Sequence, residues 1–411
     1  MRIAYFTDTY YPQQNGVSTF VRYSVKSLIK KGHTVHIFCP KIKGYKDKEN
    51  YVHRIPSIRL LPSLPDNVRL PLPIPHKTIW EIIKFDFDVV HAHGNGLFSL
   101  IGLVAARAKK VPYILTFHTQ LGRYTHYFLK GKVIKPALIN AVLLKRFGNL
   151  CDGIITPSKK MQQELIKVGV KKEIEIIPNF LDLSKFNIKN AHFLHKRFNV
   201  PNNTPILLTV GRLGKEKNFE FMLEIFSEVL KHDDKVYLFI VGEGLGKKEL
   251  IKIAKKLKVY KRVIFTGGIN IDLMPKVYAD ANIFVFPSTS EVHPMVAIEA
   301  AAAKLPLVVA NDGAFDNLVI NNKNGFRLPP DKIIFADKII QLLKSPQTCR
   351  EFGLESRRIV EKNYNPNILS DRLIKYCQTI LENYHLANGK KKSKLINLWD
   401  KFSRKLKFFE I

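Results

Sequence analysis

The stretch Ile283-Phe-Val-Phe-Pro-Ser-Thr-Ser-Glu-Val-His-Pro-Met-Val-Ala-Ile-Glu-Ala300 reads as a strand, a loop and the start of a helix. The apolar run Ile283 to Phe286 is a core strand, Pro287 to Ser290 leaves it, and the alanine-rich segment Val296 to Ala303 begins a helix. Glu291 therefore falls in a strand-to-helix loop, with Glu299 about two helical turns further on. Pro294, Met295 and Val296 lie near the helix N-terminus, where unpaired N–H groups and the positive dipole end favour a phosphate. Each carboxylate can accept hydrogen bonds from polyol hydroxyls. Taken alone, the pair reads equally as an ordinary N-terminal acid and a solvated helix residue.

Outward from this stretch, strands and helices alternate, which predicts parallel sheets with crossover helices. In the first half, Arg2 to Phe6, Thr34 to Cys39, Val89 to His91, Tyr113 to Phe117 and Gly153 to Thr156 read as strands. Val17 to Lys31 and Ile134 to Phe147 read as helices. After the polar stretch Asn187 to Asn203 a second series begins: Ile206 to Val210, Tyr237 to Val241, Val263 to Thr266, Ile283 to Phe286 and Leu307 to Val309. The fold class expected is α/β, with two doubly wound domains at 1–190 and 200–365, a helix at 366–388 and a tail at 389–411. Ligands of such sheets bind beyond the carboxyl ends of the strands.

A chain of 411 residues suits two domains, and 46% hydrophobic residues is typical of a folded protein. The four cysteines, Cys39, Cys151, Cys349 and Cys377, have neither disulfide-framework nor zinc spacing, which fits a reducing cytoplasm. Neither a secretory leader nor a spanning run of about 18 apolar residues is apparent. The formal net charge of +31 predicts a polyanionic partner. A nucleic acid would call for stacking aromatics along a basic groove, and none is identified, so an anionic membrane surface is the expected partner.

Two segments bear on that surface. Pro62, Pro65, Pro71, Pro73 and Pro75 interrupt an apolar, basic segment from Ile58 to Ile79, read as a surface loop or a membrane contact. Near the C-terminus, Leu395, Leu398, Trp399, Phe402 and Leu406 recur at helical spacing among Lys394, Lys401, Arg404 and Lys405. A basic amphipathic helix with Trp and Phe on its apolar face is an interfacial anchor, or else a helix packed on its own protein. Lys394, Trp399, Phe402, Arg404 and Lys405 are the expected membrane-binding residues.

Several motifs together resemble the retaining glycosyltransferases of family 4, over roughly residues 1 to 385. Glu291 and Glu299 match the family's Glu-x7-Glu motif, and Val210-Gly-Arg-Leu213 with Lys217 and Asn218 resembles its Gly-Arg-Leu…Lys motif. Thr116-Phe-His-Thr119 resembles its acceptor-domain histidine motif, and Tyr11-Pro-Gln-Gln-Asn-Gly-Val-Ser18 its glycine loop, with Asn15 at the first glycine and Gly16 at the second. Gly267 and Gly268 resemble the loop of the nucleobase pocket. The resemblance implies the GT-B architecture, two Rossmann-like domains facing across a cleft. It gives Glu291 to the donor sugar, Glu299 to the ribose, Arg212 and Lys217 to the diphosphate, Gly16 to the donor phosphate, and His118 to the reacting centre. Val292-His293 departs from the usual glycine and aromatic beside the sugar pocket, and Lys304 stands where a helix-ending glycine is common.

The implied activity is transfer of glucose or galactose, with retention, from a UDP-sugar to a membrane lipid. The N-terminal segment resembles that of bacterial diacylglycerol glucosyl- and galactosyltransferases, which makes 1,2-diacylglycerol the expected acceptor on the cytoplasmic face of the membrane. Lipopolysaccharide core or a lipid-linked oligosaccharide is an alternative acceptor, and nucleotide-sugar epimerisation an alternative reaction. No bound cofactor and no metal are expected: Asp86-x-Asp88 leads into a strand, and His91-x-His93 has no further ligand spacing. Gly242-x-Gly-x-Gly246 does not fit a dinucleotide fingerprint.

Overall fold

The computed structural model describes residues 1–13, 15–59, 69–71, 81–94, 96–118, 136–188 and 191–406, leaving aside the side chains of 59, 69–71, 136–141, 143 and 389–406. The chain divides into two compact units, one of residues 1–157, 161–177 and 370–411, the other of 158–160 and 178–369.

The first unit is built from β1 (Arg2–Thr7), α1 (Gly16–Lys30), β2 (Thr34–Pro40), β3 (Val52–Ile55), β4 (Ser57–Arg59), β5 (Arg69–Pro71), β6 (Val89–His93), α2 (Leu97–Lys109), β7 (Tyr113–Thr116), α3 (Pro136–Leu150), β8 (Gly153–Thr156), α4 (Lys159–Lys167, of which Lys159 and Lys160 group with the second unit) and β9 (Ile174–Ile176). Its seven-stranded sheet runs β3-β2-β1-β6-β7-β8-β9, and β4 and β5 form a separate antiparallel pair. All neighbours in the large sheet are parallel. The central strands β1, β6, β7 and β8 are almost wholly buried, because helices cover both faces of a parallel sheet.

The second unit contains α5 (Phe193–Phe198), β10 (Ile206–Val210), α6 (Phe219–Val229), β11 (Tyr237–Val241), α7 (Lys247–Lys256), β12 (Val263–Gly267), α8 (Met274–Ala279), β13 (Ile283–Phe286), α9 (Met295–Ala302), β14 (Leu307–Ala310), β15 (Gly325–Leu328), α10 (Lys332–Leu343) and α11 (Pro346–Asn363). Its sheet order is β12-β11-β10-β13-β14-β15, again parallel. One apolar cluster packs around Phe284, Phe286 and Ile298, and another around Leu223, Phe226 and Ile240. The order reverses between β10 and β13, and in the first unit between β1 and β6, so each sheet has a crevice at the carboxyl ends of those strands.

A last helix, α12 (Pro366–Leu406), runs unbroken through the expected boundary at 388. From Ser370 it groups with the first unit, where the Tyr376 hydroxyl both receives the Ile154 N–H at 2.8 Å and donates to the Ile154 carbonyl at 3.1 Å. The side chains of Lys394, Trp399, Phe402, Arg404 and Lys405 lie outside the described residues, as do Pro62, Pro65, Pro73 and Pro75. Among the described residues no helix is long and apolar enough to cross a membrane.

Candidate active site

In the second unit, the loops after β10 and β13 bring together Arg212, Lys217 and Glu291. Lys217 donates to Glu291 Oε1 at 2.5 Å, and the buried Ser288 hydroxyl donates to the same oxygen at 2.7 Å. The Lys217 ammonium also lies 5.7 Å from the Phe286 ring centroid. With 18% and 9% of their side chains exposed, Lys217 and Glu291 form a largely desolvated pair whose separation would leave a buried charge. Arg212 is half-exposed and donates to Glu216 Oε1 at 2.6 Å. Burial pushes the Glu216 carboxyl up, but hydrogen bonds from its own backbone and from Arg212 outweigh this and hold it below the usual range.

The two loops are stitched together. The Ser290 hydroxyl donates to the Glu216 carbonyl at 2.7 Å, and Lys160, part of this unit, donates to both Asp312 oxygens at 2.6 Å and to the Glu291 carbonyl at 3.0 Å. These contacts fix the main chain on both sides of the Glu291 side chain. Ser290, Lys160 and Asp312 were not legible as site residues, since their partners lie far off in sequence; Glu216, four residues from Arg212, and Ser288, three from Glu291, carried a local spacing that sequence reasoning passed over.

Helix α9 starts at Met295, one residue before the expected start, with Pro294 as its N-cap and no side-chain hydrogen bond closing it. Pro294, Met295 and Val296 thus stand at an N-terminus without a side-chain cap; the Met295 N–H turns back to the His293 carbonyl at 3.0 Å, and the Val296 N–H is left to meet an anion. The half-buried His293 ring rests 5.8 Å from that of Tyr364, so the departure at that position is taken up in packing. Glu299, on the same helix, accepts from the Tyr278 hydroxyl at 2.8 Å, and burial pushes its carboxyl up to about 7.

The glycines 242, 244 and 246 have a structural purpose. A Cβ at Gly242 would lie 2.0 Å from the Gly211 carbonyl oxygen, and at Gly244 or Gly246 within 2.8 Å of the Leu213 carbonyl oxygen. Their absence of side chains lets the loop after β11 press against 211–213, behind Arg212. Gly267 adopts φ 72°, and its carbonyl accepts the Gly242 N–H at 2.9 Å.

In the first unit, His118 follows β7 and is buried. His118 Nε2 and His93 Nδ1 are 3.2 Å apart, one donating to the other, and the Phe20 ring meets His118 edge-on at 5.0 Å. His91 Nε2 pairs with the Thr116 hydroxyl at 2.7 Å. Burial drives His91 down to about 3 and His93 well below its ordinary value, so both rings are neutral. Among the described residues no group of three or more His, Cys, Asp and Glu is arranged to hold a metal.

At the start of α1, Asn15 caps the helix: its side chain accepts from Val17 N at 3.0 Å and Ser18 N at 2.9 Å, and Ser18 Oγ receives the Asn15 N–H at 3.0 Å. The Asn15 amide also donates to the Thr9 hydroxyl at 2.8 Å. Gly16 is the first, exposed residue of the helix. Arg54 anchors the preceding segment, donating to the Tyr11 carbonyl, the Pro40 carbonyl and both Asp47 oxygens.

Two family models match in tandem: "Glycosyltransferase Family 4" over residues 14–185 and "Glycosyl transferases group 1" over 190–359. The chain belongs to these glycosyltransferases. Its two parallel-sheet units are those of the GT-B fold. This glycosyltransferase is 33% identical to an alpha-monoglucosyldiacylglycerol synthase of Streptococcus pneumoniae, over 79% of the chain and 74% of the relative. It is 26% identical to the protein of the same name from Acholeplasma laidlawii, over 96% of the chain and all of the relative. It is also 26% identical to a GDP-mannose-dependent alpha-mannosyltransferase of Mycolicibacterium smegmatis, over 93% and 98%. Among solved structures it resembles in fold Anabaena HepE in complex with UDP, with TM-score 0.73, 18% identity, and coverage of 92% of this chain and 100% of that one.

Proposed function

We propose that this glycosyltransferase moves a hexose, glucose or galactose, from a UDP-sugar to 1,2-diacylglycerol at the inner, anionic face of the cell membrane, with retention. The observation that carries the donor half is the Lys217–Glu291–Ser288 cluster beside Arg212, on the loops that flank the strand-order reversal. Glu291 Oε1 is taken by Lys217 and Ser288, while Oε2 makes no hydrogen bond among the described residues and serves a donor-sugar hydroxyl. Arg212 offers a planar fork and Lys217 a point charge to the diphosphate. The uncapped start of α9 at Pro294, Met295 and Val296 takes a phosphate oxygen, Gly267 borders the base, and Glu299 meets the ribose. Gly16 of the first unit approaches the donor phosphate, and His118 contacts the reacting sugar.

In the reaction, the bond from the sugar C1 to the β-phosphate oxygen breaks and a bond from C1 to the acceptor oxygen forms on the same face. The acceptor proton passes to the departing phosphate. Glu291, Arg212 and Lys217 supply position and charge stabilisation rather than an enzymic nucleophile.

The acceptor half is supported by the two monoglucosyldiacylglycerol synthases among the relatives and by the net charge of +31. The test is incubation with radiolabelled UDP-glucose, UDP-galactose or GDP-mannose and vesicles of diacylglycerol with an anionic lipid. Label should enter the lipid from a UDP-sugar and fall to background with Glu291→Ala or Lys217→Ala. Label from GDP-mannose alone would replace the donor assignment by that of the mannosyltransferase relative. Removal of 389–411 should release the enzyme from the vesicles if Lys394, Trp399, Phe402, Arg404 and Lys405 hold it there.

A further inference from the structure

Tyr278 sits on α8 with its side chain wholly buried, its ring centroid 6.2 Å from that of Phe284 and 6.0 Å from that of Phe186. Its hydroxyl reaches Glu299 Oε2 at 2.8 Å. Burial holds the phenol protonated, so the tyrosine is the donor and the carboxylate the acceptor. Glu299 Oε1 makes no hydrogen bond among the described residues, and the residue is only partly buried. The last torsion of a glutamate is broad and roughly two-fold, so a carboxylate without such a partner samples many orientations. A tyrosine locked in the core removes that freedom.

We infer that Tyr278 is a positioning residue for ribose recognition: it holds Glu299 Oε2 so that Oε1 is presented to the nucleotide's vicinal hydroxyls, and thereby sets the preference for a ribonucleotide donor over one lacking them. The inference rests on the reading of Glu299 as the residue that meets the ribose, and it deepens that reading. Ionised, above about pH 7, the Glu299 carboxylate accepts but does not donate, so it recognises O–H groups and gains nothing from a deoxy sugar. A site built around such an acceptor also discriminates, because the missing hydroxyl leaves a partly desolvated carboxylate oxygen without its partner. Tyr278 touches no donor group itself; its effect passes through Glu299.

Titration calorimetry of the full chain with UDP, GDP and the 2′,3′-dideoxy form of each tests this. The unsubstituted enzyme should prefer the ribonucleotide by roughly 10- to 100-fold, the range expected for hydrogen bonds to a charged group. Tyr278→Phe keeps the packed ring and should shrink that preference by about fivefold or more, the effect of releasing one charge-assisted hydrogen bond, with dideoxynucleotide affinity nearly unchanged. Glu299→Gln should shrink it further, and adding Tyr278→Phe to Glu299→Gln should change it little, because the tyrosine acts through the carboxylate. A full ribonucleotide preference in Tyr278→Phe overturns the inference and leaves the ribose reading of Glu299 standing. Equal weakening of ribo- and dideoxynucleotide would show a merely structural tyrosine and overturn it too. No ribonucleotide preference in the unsubstituted enzyme overturns the ribose reading itself, and the inference with it.

Discussion

The two units repeat one plan, a doubly wound parallel sheet with a strand-order reversal, yet they place opposite chemistry at their strand ends. The first unit ends β6 and β7 in three packed histidine rings, His91, His93 and His118, the first two neutral, enclosed by aromatic rings. The second ends β10 and β13 in ion pairs, Lys217 with Glu291 and Arg212 with Glu216. A parallel sheet fixes where a site can be, and leaves its electrostatics to the loops. In the first unit burial has removed charge, and in the second it has been offset by pairing.

The most forceful way to break this contrast is to unpair the second unit. Lys217→Ala should lower kcat by about 100- to 1,000-fold, as for loss of a preorganised charge at the leaving group, and should cost about 3 kcal/mol in urea unfolding because Glu291 is left uncompensated. His118→Ala in the first unit should lower kcat by about 100-fold or less, measured beside Lys217→Ala in the same assay.

Next in size is pH. His91 and His93 have depressed values in the folded state, so below about pH 6.5 the unfolded chain binds more protons and the first unit loses stability as pH falls. By pH 5.5 two such histidines cost about 2–3 kcal/mol. Glu299 is raised to about 7, so between about pH 4.5 and 7 the folded chain binds more protons, and the second unit loses stability as pH rises. Hydrogen exchange read separately on the two sheets at pH 5.5 and 7.5 should show opposite trends, and Glu299→Gln should flatten the second alone. Parallel trends in both sheets would remove the electrostatic contrast.

Smaller effects separate the helix ends. Asn15→Ala should destabilise the first unit by about 1 kcal/mol through loss of the cap on α1. Lys304 closes α9 in the left-handed region at φ 65°, with Leu305 N–H on the Ala300 carbonyl and Lys304 N–H on that of Ala301. Lys304→Gly should therefore raise the midpoint of thermal unfolding, by up to about 1 kcal/mol in stability.

The sequence was most legible where a pattern was local. The core strands from Ile206 to Val210 and Ile283 to Phe286 are continuous apolar runs, and their observed bounds are those read. The strands Val52–Ile55, Ile174–Ile176 and Gly325–Leu328 were not read, and each lies at the edge of its sheet. An edge strand is short and half-covered, so its apolar signal is diluted. In the site, the motif residues were visible because their spacing is short. Tyr278 and Lys160 were not, because what matters about each is a distant partner supplied by the fold: Glu299 and Asp312. Asn15 was read as an imperfect glycine, whereas its side chain completes a capping box that a glycine could not form.

That capping box also decides which helix start is open to a newcomer. At α1 the N–H groups of Val17 and Ser18 are already engaged by Asn15, so an incoming anion would compete with a ligand the chain carries covalently. At α9 the cap is a proline with no side-chain acceptor; the Met295 and Ala297 N–H groups go instead to the His293 and Pro294 carbonyls, each at 3.0 Å, and the Val296 N–H makes no hydrogen bond among the described residues. Two helix beginnings of like polarity thus differ in what an anion would have to displace: a side-chain acceptor at one, and only main-chain turn bonds at the other.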